Sequence, residues 1–241
     1  MNAPLSSLHA VLASPAACLL LTLGAYALAR RIGTLSRGAP LANPVVLTIL
    51  MVIAALAVCG IPYADYRQGV GFIHFLLGPA TVALAVPLYR QLGRLRRLWL
   101  PLCAGLLAGS LTAMVSAMAC AHWLGASTRT VISLAPKSVT TPIAMAVAEQ
   151  LGGNASLAAV SVIATGILGA VFGPGLIRLL RVPRDDIGGF AIGVAAHGIG
   201  TARAFQVDAE MGAFAALAMG LNGLFTACIA PLLVPVLLAW L

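Results

Sequence analysis

The sequence predicts an all-α, polytopic helical membrane protein, and three observations carry that prediction. Of 241 residues, 61% are hydrophobic and 8% charged, with a mean hydropathy of +1.03. A soluble domain carries about 25% charged residues. Apolar stretches of about 20 residues, the length a bilayer demands, recur along the whole chain. The segments between them are short and leave no room for a soluble domain, so residues 1–241 read as a single integral membrane domain.

Seven to eight hydrophobic segments can be drawn. The first, Leu8 to Ala29, opens from an N-terminus, Met1 to Ala10, without a positively charged region, and Arg30 and Arg31 follow it, so it reads as a span rather than a cleaved secretory signal. Pro44 to Ile61 and Val70 to Tyr89 come next. Leu98 to Leu124 is bracketed by Trp99 and Trp123, whose separation of about 36 Å on a helix matches the distance between the two membrane interfaces. Thr130 to Ala148 is interrupted by Pro136 and Pro142. Ala155 to Ile177 and Ile187 to Ala202 follow. Gly212 to Trp240 exceeds what one span needs, and Pro231 and Pro235 are positioned to kink or end it.

Charge orients these segments. The formal net charge of +8 would suggest nucleic acid in a soluble protein, but here the arginines gather between apolar segments and read as topology signals, with no nucleic acid partner. The clusters Arg30, Arg31, Arg37 and Arg90, Arg94, Arg96, Arg97 are separated by two crossings and share one face. Strict alternation would put Arg178, Arg181 and Arg184 on the opposite face. One intervening stretch therefore fails to cross, and the proline-interrupted Thr130 to Ala148 is the candidate for a re-entrant hairpin.

Catalytic and metal-binding patterns are missing from the sequence. Cys18, Cys59, Cys103, Cys120 and Cys228 are odd in number, widely spaced and set in apolar segments, where they read as small packing residues. His9, His74, His122 and His197 form no metal-binding spacing, and neither a nucleophile elbow nor a phosphate-binding glycine loop occurs. The expectation is no enzyme activity, no metal and no cofactor.

Three unusual stretches supply the candidate site. Leu134 to Pro142 puts Lys137, three hydroxyl residues (Ser138, Thr140, Thr141) and two prolines into a membrane-length apolar stretch. Such a cluster persists only where it is buried in protein or lines a polar cavity. Leu77-Gly78-Pro79-Ala-Thr81-Val82 repeats the Leu-x-Pro-x-hydroxyl-Val pattern of Leu134 to Val139 at an offset of 57 residues (136 minus 79), and the second proline recurs at a different spacing, Pro87 against Pro142. Paired proline-broken segments are the signature of transporters built from internal inverted repeats, whose half-helix ends meet at a midplane site. The third stretch, Gly188 to Arg203, is glycine-rich and carries His197, Thr201 and Arg203 as donors, with His197 and Thr201 on one face of a helix. The pairs Gly189 and Gly193, Gly105 and Gly109, and Gly169 and Gly173 read as helix-packing notches.

These stretches carry a family resemblance. The runs Pro136 to Pro142 and Gly78 to Pro87, together with Phe172-Gly173-Pro174 and Ala196-His197-Gly198-Ile-Gly200-Thr201-Ala-Arg203, resemble the LrgB/CidB family over nearly the whole chain. The resemblance implies a bacterial inner-membrane protein. Bacterial members are described as holin-like modulators of murein hydrolase export and autolysis, paired with a small LrgA/CidA-type membrane protein. A plastid relative that fuses both parts is a glycolate and glycerate transporter.

The residues themselves lean toward transport. Lys137, His197 and Arg203 give an excess of buried positive charge, with only Glu149 nearby in sequence, and such an excess asks for an anion. The expected substrate is a small (hydroxy)carboxylate such as glycolate, glycerate or lactate. Lys137 would neutralise its carboxylate, half-helix N-termini near Pro79 and Pro136 would add backbone donors, and Thr81, Ser138, Thr140 and Thr141 would bond its hydroxyl. His197, Thr201 and Arg203 complete the predicted substrate-binding set. Gly78, Pro87, Pro142, Gly173, Pro174, Gly198 and Gly200 are the predicted hinges. A histidine titrating near neutral pH suits proton coupling, and sodium coupling is equally open. A homo-oligomer, in the simplest case a dimer, is the expected assembly.

Overall fold

The computed structural model describes residues 14–36, 42–73, 75–76, 79, 89, 92–182 and 184–241. Gly78, Thr81 and Pro87 lie outside them, as do His9, His74, Arg37 and Arg90. Regular structure among the described residues is entirely helical. Two compact units, Met1–Ala83 and Leu84–Leu241, divide the chain.

In the first unit, α1 (Pro15–Leu35) starts with proline at its first position, behind a Ser14 cap whose Oγ accepts from Ala17 N at 3.3 Å. α2 (Pro44–Cys59) repeats that chemistry, with Asn43 Oδ1 accepting from Val45 N at 2.9 Å. It ends at Gly60, whose left-handed φ of 65° a residue with a Cβ would resist. The two helices pack through Ala25, Val52 and Leu56, joined by Ile61 just past the end of α2. Short α3 (Tyr63–Gly69) is tied back to α1 by a 2.8 Å hydrogen bond between Tyr66 and Thr22 hydroxyls.

The second unit holds the long helices. α4 (Leu92–Trp123) is followed by two short pieces, α5 (Thr128–Leu134) and α6 (Thr141–Gln150), neither of which can span a bilayer. The chain between them doubles back. Ser133 Oγ, near the end of α5, accepts from Asn154 N at 2.7 Å, just past the end of α6, so the segment from 133 to 154 leaves and returns to one place. This is a helical hairpin, as the re-entrant reading of Thr130 to Ala148 expected. Pro136 brings about the break. It has no N–H to bond Ile132, and α5 runs on as tighter turns (Ala135 N to Ile132 O, Lys137 N to Leu134 O) before reversing at Thr140.

α7 (Ala155–Leu179), capped by Asn154, is long and apolar enough to cross a membrane, as are α1, the Arg96–Trp123 part of α4, and α9 (Ala209–Trp240). Pro231 and Pro235, expected to kink or end the last segment, lie inside α9 without ending it.

The reading of Ile187 to Ala202 as a crossing is corrected. α8 (Asp185–Val207) is broken at Ala196 and His197, with His197 at φ 41°, ψ −136°. A Cβ at Gly200 would meet Ile192 Cγ2 at 3.0 Å and Ile192 O at 3.4 Å. Residues eight apart on a continuous helix are about 12 Å apart, so the second arm (198–207) folds back on the first (185–195). Ile192 and Ala204 accordingly share a cluster with Met211 and Ala215 of α9. The missed reversal has a physical reason: the chain turns at a histidine in a left-handed conformation, and no proline announces it.

The order of contacts fixes the topology of this unit. The early turns of α4, at Leu98, Leu102 and Leu106, pack with the first arm of α8 and the start of α9. Its late turns, at Met114, Met118 and Ala121, pack with α5 and with Ala230 and Val234 late in α9. α4 and α9 are therefore parallel, and the two hairpins enter from opposite ends. α7 runs antiparallel to the first arm of α8, with Gly173 against Ile192 and Ile177 against Gly188. Because the first hairpin does not cross, Arg178, Arg181 and Arg184 fall at the same end as Arg96 and Arg97, consistent with the positive-inside bias. In a cysteine-free background, cysteines at positions 149 and 181 are expected to react with a membrane-impermeant maleimide from opposite faces. Labelling of both from one face would contradict this topology.

The hairpins and the spans after them form an internal inverted repeat, 128–179 against 185–240. A Cβ at Gly166 would meet Ile199 Cδ1 at 2.9 Å, and one at Gly223 would meet Ile143 Cδ1 at 2.8 Å. Gly166 and Gly223 are 57 residues apart (223 minus 166), and Ile143 and Ile199 are 56 apart (199 minus 143). Each spanning helix thus presents a glycine to the returning arm of the other repeat's hairpin. The repeat falls on these segments, whereas the sequence match began at Leu77 to Val82, most of which lies outside the described residues.

Candidate functional site

The tip of the first hairpin is residues 135–140. Pro136, Ser138 and Val139 are buried, while Lys137, Thr140 and Thr141 are half-buried. Lys137 Nζ donates to Ser138 Oγ at 3.4 Å, and no ion pair engages it among the described residues. Thr140 is the N-cap of α6 but makes no side-chain cap bond, and Pro142 occupies the first turn. The N–H groups of Thr141 and Ile143 therefore open the helix toward the tip, with the positive end of its dipole. This corrects one expectation: the half-helix N-terminus lies at Thr140 to Pro142, and Pro136 sits on the descending arm.

The tip of the second hairpin is held through His197. Its Nε2–H donates to Val162 O of α7 at 2.8 Å, and its ring lies where a Cβ on Gly166 would stand. Left-handed backbone at a non-glycine residue costs about 1–3 kcal/mol, so the imidazole has been kept against a conformational penalty. Thr201 Oγ1 donates to His197 O at 2.7 Å, which puts both on one face as the spacing predicted. Val162 also packs with Val139 and Ala144, so it touches both hairpins.

One residue joins the two tips. Asn222, 1% exposed at the middle of α9, donates from Nδ2 to Ser138 O at 3.1 Å and to Val194 O at 3.0 Å. Ser138 and Val194 are 56 residues apart (194 minus 138), so the amide binds equivalent carbonyls of the two repeats. Its Oδ1 accepts from Ser110 Oγ of α4.

A cavity of about 460 Å³ leads to this point between α4 and the first arm of α8. Lys137 and Ser138 stand at its inner end, Leu98, Leu102, Phe190 and Val194 form apolar walls, and Arg184 and Asp186 stand at the basic-face end. Arg184 is bound to Asp186 through Nε to Oδ1 at 3.0 Å and through Nη2 to Oδ2. These hydrogen bonds, then the carboxylate's charge, raise the guanidinium further above its ordinary value, so it stays cationic. About 12 Å of helix rise separates Asp186 from the level of Val194. The cavity thus has an ion pair, Arg184 with Asp186, at one end and Lys137 at the other, with apolar walls between them.

The other predicted residues are more scattered. Arg203 is about 9 Å of helix rise beyond His197 toward the basic face, and it donates to Gln206 Oε1 at 3.1 Å. Glu149, the expected counter-charge, is exposed at the far end of α6. Pro79 is exposed. Gly173 and buried Pro174 lie on α7, Gly198 follows the reversal, and Gly200 packs on Ile192. The notch pairs each face a helix: Gly105 and Gly109 meet Phe190 and Val194, Gly169 meets Ala196, and Gly189 and Gly193 meet backbone of Met211 and Ala215. Asn222 and Ser110 were not found from the sequence. The available signal was an asparagine between Gly220 and Gly223 in a 32-residue apolar helix.

Residues 22–236 match the model of the LrgB-like family. A Bacillus subtilis protein, YwbG, of uncharacterised function, is 38% identical over 79% of this chain and 85% of its own length. The holin-like protein CidB of Staphylococcus epidermidis is 31% identical over 83% of this chain and 85% of its own. The antiholin-like protein LrgB of Bacillus cereus is 29% identical over 85% and 90%. No solved structure matches the chain.

Proposed function

This chain belongs to the LrgB-like family, and we propose that within the bacterial inner membrane it carries small carboxylate anions such as glycolate, glycerate or lactate. The observation that carries this reading is Lys137, without an ion pair among the described residues, at the closed end of a cavity where two opposed hairpins meet. A cation left without a counter-charge inside protein is stabilised by a bound anion. Inverted repeats with broken helices at the midplane are the architecture of secondary carriers.

In this reading the carboxylate is drawn past Arg184 and pairs with Lys137 Nζ through a charge-assisted hydrogen bond. The open first turn of α6 adds backbone donors, and the hydroxyls of Ser138, Thr140 and Thr141 bond the substrate's own hydroxyl. Late in α4, Met114, Met118 and Ala121 pack against Val131, Ile132 and Ala135, which closes the opposite end. The proposed state is therefore open to the basic, cytoplasmic face. Proton or sodium coupling supplies the driving force.

A second reading is favoured by the names of the relatives, holin-like and antiholin-like. In it the protein, as a homo-oligomer with an LrgA/CidA-type partner, modulates murein hydrolase export and autolysis. The test is uptake of labelled glycolate, glycerate and lactate into proteoliposomes of the purified protein, with and without an imposed pH or sodium gradient. Saturable, carboxylate-selective uptake supports the carrier. Unselective leakage of carboxylates and neutral sugars alike would overturn it in favour of the holin-like reading.

A further inference from the structure

We propose that Asn222 is a positioning residue that couples the two hairpin tips, so that the repeats shift as one unit. The inference rests on the carrier reading for its consequence in transport, but its structural basis is independent of it. A single amide group has two N–H donors, and here each is spent on a different hairpin: one on Ser138 O, beside Lys137, and one on Val194 O, three residues before His197. The amide oxygen is fixed in turn by Ser110 on α4. Three segments distant in sequence thus converge on one side chain of α9 that does not itself line the cavity.

The two carbonyls need this donor. Ser138 lies where the α5 helix has ended, and Val194 lies where the first arm of α8 is about to end at Ala196, so both have lost intrahelical partners. Both stand at membrane depth, where water is scarce and an unsatisfied carbonyl is costly. If Asn222 lets go of one tip, the other keeps its bond and its place. If both bonds hold, motion of either hairpin is transmitted to the other through α9. Asp offers no donor when ionised and a single donor when protonated, so it cannot serve both carbonyls at once.

The experiment is hydrogen–deuterium exchange on the full chain in lipid nanodiscs, comparing wild type with Asn222→Leu and Asn222→Asp at matched pH between 5.5 and 9. Peptides covering 134–140 and 192–198 should exchange about tenfold faster in the leucine variant at every pH, both tips together. In the aspartate variant both tips should exchange faster at pH 9, and at pH 5.5, where the protonated acid has one donor to give, the acceleration should shrink at one of them, a pH dependence that simple loss of packing would not produce. In proteoliposomes, the maximal rate should fall about tenfold while KM stays within about threefold, because Asn222 does not touch the ligand. Exchange within twofold of wild type at either tip in the leucine variant would overturn the coupling role, as would an aspartate variant whose acceleration over wild type is the same at both ends of the pH range. Coupled acceleration in a protein that moves no carboxylate would leave this inference standing and remove the carrier reading. Saturable flux with unresponsive tips would do the reverse.

Discussion

Replacing Lys137 with methionine is expected to abolish saturable carboxylate uptake, lowering kcat/KM about 100-fold, while leaving the folded protein intact. A hydrogen bond to a charged group contributes about 1.5–3 kcal/mol, and the upper part of that range corresponds to a factor of about 100. Methionine keeps the length and apolar stem of lysine but removes the charge. The fold should tolerate this, since among the described residues the hydrogen bond of Nζ is a 3.4 Å contact with the neighbouring Ser138 Oγ. Thermal unfolding of the solubilised variant should match wild type, which separates a lost ligand contact from a lost structure. Uptake by the variant at the wild-type rate would remove Lys137 from the site.

Adding a single methyl group at Gly193 is expected to destabilise the second unit strongly. At both Gly189 and Gly193 the first arm of α8 lies backbone to backbone on α9, and a Cβ would fall on the carbonyls of Met211 and Ala215. Neither side can yield by turning a rotamer, because the obstacle is main chain. Overpacking usually costs about 1–3 kcal/mol, and a backbone obstacle belongs at or beyond the top of that range. Alanine's better helix propensity returns at most about 1 kcal/mol. Gly193→Ala should therefore elute as aggregate or melt far below wild type. Gly220→Ala, on α9 with nothing within 4 Å of its Cβ, should be neutral or slightly stabilising. Equal behaviour of the two variants would contradict the close approach of hairpin and span.

Much of this architecture was legible in the sequence because membranes impose strict demands on it. Length and hydropathy located α1, α4, α7 and α9, and the conflict between arginine clusters and strict alternation pointed to Thr130 to Ala148 as a segment that does not cross. Prolines and a lysine in that segment marked the first hairpin. The second hairpin left no comparable mark. Its reversal is made by backbone at Ala196 and His197, and its composition is apolar enough to pass for a span. The repeat was legible only in part, since its equivalence shows in which residues meet, Gly166 with Ile199 and Gly223 with Ile143, and those pairs are far apart in sequence. Lys137 and His197 stood out as titratable groups in apolar surroundings. Asn222 did not, because one amide among 32 mostly apolar residues carries its meaning only when Ser138 and Val194 are seen to meet on it.

The central claim is that the two opposed hairpins form one site exposed to one face at a time. Countertransport tests it most directly: proteoliposomes loaded with unlabelled glycolate or lactate take up the labelled compound, beside empty vesicles. A carrier returns faster when loaded, so internal substrate should accelerate uptake several-fold, and the Lys137→Met variant should lose that acceleration. Uptake that is indifferent to internal substrate and rises without saturation would mean a continuous pore, and the site would have to be reread as the lining of a holin-like channel.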